Sequence, residues 1–101
     1  MEKEREMDAH IIYKCRLEIT DTQIVHLPTT HKLLHVGILN GELFLWAQVS
    51  VYEKRVERTM HVVYTGHNVI NPDWEYVGIA VDSSHMFECH VYVEPLKGET
   101  I

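Results

Sequence analysis

Chemistry-bearing side chains concentrate in one short stretch, YTGHNVINPDWEYVG, at positions 64–78. It offers the imidazole of His67, the amide of Asn68 and the indole of Trp74, and Arg58 lies on the run that leads into it. An imidazole and an amide exchange hydrogen bonds with a partner, an indole stacks, and a guanidinium grips an anion. Arg58, His67, Asn68 and Trp74 are therefore the candidate binding residues. A plainer role is open for the same stretch. Gly66 suits a positive-φ corner, Asn68 or Asn71 can cap a turn, and Pro72 stiffens the backbone. In that role Val69 and Ile70 pin the loop to the core and Asp73 leads into the next strand.

Elsewhere the spacing argues against reaction chemistry. Of the eight histidines, His31 and His35 stand four apart, as metal ligands do on a helix. Their β-branched and apolar neighbours favour a strand, where that separation spans about 13 Å. Cys89 and His90 are adjacent and would point to opposite faces of a strand. No metal site is expected. No nucleophile–base pair, phosphate loop or carboxylate pair can be read from spacing, so neither catalytic residues nor a cofactor are expected. Cys15 and Cys89 lack CxxC spacing and read as buried free thiols.

Composition narrows the partners. The chain has 101 residues, 46% of them hydrophobic, enough for one folded domain. The formal net charge is -6, and Arg55 and Arg58 interleave with Glu53 and Glu57. Nucleic acid is disfavoured, because its binding draws on a basic stripe. The start, MEKEREMD, is unlike the apolar core of a signal peptide, and no apolar run is long enough to span a bilayer. A soluble intracellular protein without membrane contact is expected.

The elements that must position the site follow from period-two alternation. Residues 10–19 place Ile11, Tyr13, Cys15, Leu17 and Ile19 on one face and Lys14, Arg16 and Glu18 on the other. Residues 23–28 form a short strand that Pro28 closes or puts on an edge. KLLHVGIL (32–39) is apolar on both faces, which suggests a central strand. Asn40-Gly41 signals a tight hairpin into 42–52, with Leu43, Leu45, Ala47, Val49 and Val51 opposite Phe44, Trp46, Gln48, Ser50 and Tyr52. Three more strands fall at 55–65, 74–81 and 86–93. The expectation is an all-β domain over 10–95, an antiparallel sandwich or partly open barrel of about seven strands. An acidic flexible arm (1–9) and a tail (96–101) flank it. The one long connection, 65–73, is the stretch already singled out. Bulky groups on both faces of several strands predict a homo-oligomer.

The runs LHVGILNGELFLWAQV (34–49) and VVYTGHNVINPDWEYVGIAV (62–81) resemble a family of small bacteriophage and prophage proteins. Its members share an LxLWAxV … TGH … WEYxG pattern, and YKCRLEITDTQIVHLP (13–28) resembles its opening. The resemblance covers residues 11–93. It departs at the acidic arm, at Tyr64 where a Gly would stand and at Ile79 where a Thr is usual. It implies a virus-encoded accessory protein in the host bacterial cytoplasm. Such a protein would bind a host protein stoichiometrically and could blunt host defence. A sponge for a signalling nucleotide, with Trp74 stacking and Arg58 on the phosphate, is the alternative. An assembly factor of the particle is a third.

Overall fold

The computed structural model describes residues 9–96; the expected arm and tail lie otherwise outside the described residues. Seven strands follow in order: β1 (His10–Leu17), β2 (Thr22–Pro28), β3 (His31–Leu39), β4 (Glu42–Ser50), β5 (Arg55–Tyr64), β6 (Glu75–Val81) and β7 (Glu88–Val93). They form two antiparallel sheets, β1-β4-β3 and β2-β5-β7-β6. The sheets pack face to face as a sandwich, so the barrel alternative falls away. Among the described residues no helix is long and apolar enough to cross a membrane.

Alternation sets what goes inside. Leu43 and Leu45 of β4, Met60 and Val62 of β5 and Cys89, Val91 and Val93 of β7 fall in one buried cluster. Ala47 and Val49 are buried too, while Val51, expected on the same face, lies past the end of β4 and is 40% exposed. Burying a Leu or Val removes surface worth about 1.5–3 kcal/mol each, which holds the two layers together. Asn40 and Gly41 have φ values of 52° and 80°, the left-handed pair that a tight β3–β4 hairpin demands. Pro28 sits on an edge strand, where its missing N–H leaves no gap inside a sheet.

β3 is not central: it is the edge of the three-stranded sheet, and β4 is the middle strand. The register slips between Leu33 and His35. Leu33 and Val36 therefore both lie on the core side, although one is odd and one even in number. The double-sided apolar run records a bulge, not two covered faces. The slip also leaves His31 on the core side with Val49 and His35 on the outer side with Trp46. These two rings cannot share an ion, and no group of His, Cys, Asp or Glu among the described residues could hold a metal.

Cys89 is fully buried; Cys15, expected to be buried too, is only half-buried. Both thiols are free and sit in opposite sheets. Burial pushes both upward from the usual thiol range, with Arg55 partly opposing this at Cys15.

Candidate functional site

The 65–74 segment is a crossover. β5 and β6 both run antiparallel to β7, which lies between them, so they are parallel to each other. Tyr64 pairs with Cys89 and Glu75 with Val93, at opposite ends of β7. The chain must travel back along the sheet before β6 can begin. It does so over the outer face, where Trp74 lies flat on His61 with ring centroids 3.7 Å apart and planes 3° apart.

Local chemistry shapes this path. Gly66 has a φ of 93°, and the His67 N–H donates to Tyr64 O at 3.0 Å to close the turn. Asn71 Oδ1 accepts from the Asp73 N–H at 3.0 Å, the expected side-chain cap. His67 sets its ring edge-on to Tyr64 at 5.4 Å. Val69 is half-buried, but Ile70 is 84% exposed and does not pin the loop. Trp74 anchors it instead, because stacking on a braced ring removes more apolar surface than Ile70 could at that bend.

Between the crossover and the sheet lies a cleft of about 300 Å³. Three of the four expected site residues, His67, Asn68 and Trp74, line it with His61, Thr22 and Ile70. Arg58 does not. It lies on the core side of β5, 8% exposed. Its Nη1 donates to His31 Nε2 at 2.7 Å and its Nη2 to Glu94 O at 3.0 Å, while its Nε is buried without a partner. His31 Nδ1 faces Pro28 O at 2.7 Å, so that nitrogen carries the proton and Nε2 is free to accept from Arg58. Even-numbered positions of β5 face inward, and Arg58 shares that parity with Met60 and Val62. Spacing along the chain put it beside Trp74; strand parity separates them.

Arg58 acts on the site from behind. It holds the Glu94 backbone, and the Glu94 carboxylate accepts from His61 Nε2 at 2.6 Å. The other His61 nitrogen, Nδ1, meets Thr22 Oγ1 at 3.1 Å. Thr–His–Glu has the order of nucleophile, base and orienting acid. Yet Thr22 and His61 are directly opposed ladder partners, which accounts for their contact without catalysis. The arrangement fixes the imidazole plane on which Trp74 rests.

A second polar chain lies on the far side of the crossover. Tyr76 OH meets His90 Nδ1 at 2.9 Å, His90 Nε2 meets Thr65 Oγ1 at 2.9 Å, and Thr65 donates to Glu88 at 2.5 Å. Desolvation, then the neighbouring Tyr92 and Glu88, push the Tyr76 phenol upward, so it stays a hydroxyl donor. Tyr76 packs edge-on to Tyr92 at 5.2 Å. His61, His90, Thr22, Tyr76 and Glu94 escaped sequence reasoning. Their partners lie up to 39 residues away, and only outward parity on β5 and β7 hinted that the histidines shared a face.

No curated protein and no solved structure matches the chain. Residues 8–100 match the model of a domain of unknown function, DUF7352, and the chain belongs to that family.

Proposed function

We propose that this protein is a binding module that docks a partner protein on the outer face of its four-stranded sheet, around the 65–74 crossover. The observation that carries this is the cleft itself. Its floor is the braced His61–Trp74 stack, His67 and Asn68 present polar groups, and Ile70 stands exposed at the rim. A preordered polar surface with one apolar anchor suits protein recognition. Sequence resemblance supplies the setting: a phage accessory protein that engages a host protein in the bacterial cytoplasm, as a homo-oligomer. The nucleotide sponge in its Trp74–Arg58 form loses support, since Arg58 is committed inside the sandwich.

The test is capture from host lysate with wild type, Ile70→Asp and the His67→Ala/Asn68→Ala double variant. Wild type is expected to retain one partner in stoichiometric amount. Both variants should lose it, with melting temperatures within a few degrees of wild type. Retention by both variants would refute the site, as would their global unfolding.

A further inference from the structure

The other side of the sandwich carries a surface of different chemistry. Outward ladder positions of the three-stranded sheet place Phe44 and Trp46 in the middle of the central strand. Lys14 stands opposite Trp46 and Arg16 opposite Phe44 on β1, while His35 flanks Trp46 and Lys32 flanks Gln48 on β3. All four basic side chains are exposed and both rings are half-buried. Glu42 is the one carboxylate at an outward ladder position of this sheet. A chain of net charge -6 thus gathers Lys14, Arg16 and Lys32, three of its nine Lys and Arg, on a single face around two aromatic rings.

We infer that this face binds single-stranded nucleic acid. Exposed rings stack on bases, and cations beside them meet the phosphates that join those bases. Phe44 and Trp46 have centroids 6.2 Å apart along one strand, so neighbouring bases can each take a ring. Gly37, opposite Phe44, has no side chain of its own, and the His35 and Trp46 rings lean over it, each 3.4 Å from where a Cβ would stand. The cations are held by contacts that a ligand can replace. Lys14 Nζ lies 4.7 Å from the Phe44 ring centroid, and Arg16 pairs with Glu18 at 2.8 Å with both side chains more than half exposed. Exposed pairs of this kind are weak. A second copy of the chain is the poorer occupant, because a two-fold contact would set Lys14, Arg16 and Lys32 against themselves. A duplex hides its base faces and could not use the rings.

The experiment is fluorescence anisotropy with a labelled oligothymidylate and the full chain, repeated across salt concentrations. Binding is expected, with a log–log salt slope of roughly -2, as about three phosphate contacts to a single strand would give. Trp46→Ala should weaken it roughly 5- to 150-fold, the loss of one stacked base. Lys32→Glu, at an exposed position that does not threaten folding, should weaken it and flatten the slope. The His67→Ala/Asn68→Ala variant, altered on the opposite face, should bind as wild type does. The inference is overturned if no anisotropy change appears at low salt up to the solubility limit. It is equally overturned if Lys32→Glu binds like wild type, or if duplex binds as tightly as single strand. Light scattering in which Trp46→Ala splits a dimer, with no oligonucleotide binding by wild type, would assign the face to self-association and refute it.

Discussion

Replacing Arg58 by Ala separates a binding residue from a structural clamp. The change deletes two hydrogen bonds made by a charged group, to His31 Nε2 and Glu94 O. Each such bond is worth about 1.5–3 kcal/mol. Against this, Arg58 already carries a buried Nε without a partner, and its removal relieves a desolvation cost of about 1–3 kcal/mol. Taken at mid-range, the net expected loss is about 2–3 kcal/mol, or roughly 8–24 °C in melting temperature for a domain of this size. Urea denaturation followed by tryptophan fluorescence measures it directly, with an unchanged m-value confirming a pure stability effect. Arg58→Met, which fills the space without the guanidinium fork, is expected to cost less than Ala. A loss below about 0.5 kcal/mol for Arg58→Ala would refute the clamp, since that is the range of ordinary surface changes.

Trp74→Ala frees the crossover from His61; amide exchange over 65–74 should speed up more than at β4, and equal acceleration everywhere would contradict a local anchor. Asp82 experiences opposing influences: desolvation raises its pKa, but hydrogen bonds from Ser84, Phe87, Met86 and His85 outweigh it and hold the carboxyl below its ordinary 3.8. A depressed folded-state value stabilises the fold above the ordinary value and fades as pH falls through the folded one. The stability gap between wild type and Asp82→Asn should thus be full near neutrality and close as the solution is acidified below 3.8; a gap that widens in acid would contradict this. Cys89 should react with a thiol reagent only on unfolding and Cys15 slowly in the native state; rapid reaction of both would show that burial does not protect them.

Alternation and turn chemistry alone determined much of this protein. Side-chain alternation is a local property, and Asn40-Gly41 or Pro28 act through their own backbone, so seven strands and the inward residues Leu43, Leu45, Ala47 and Val49 of β4 could be read from the chain. The importance of Gly66, Asn71 and the outward His67 was legible for the same reason. Three things needed the tertiary structure. A one-residue bulge at Leu34 changes parity without leaving a mark in composition, and it made an edge strand read as a central one. The parallel relation of β5 and β6 depends on β7, which follows both in the chain, so only pairing reveals 65–74 as a crossover laid on His61. Finally, charges summed along a chain say nothing of their grouping. Lys14 and Lys32 flank Trp46 and Gln48 on one face because β1 and β3 both pair with β4, and Arg58 turns inward because its parity on β5 matches that of Met60.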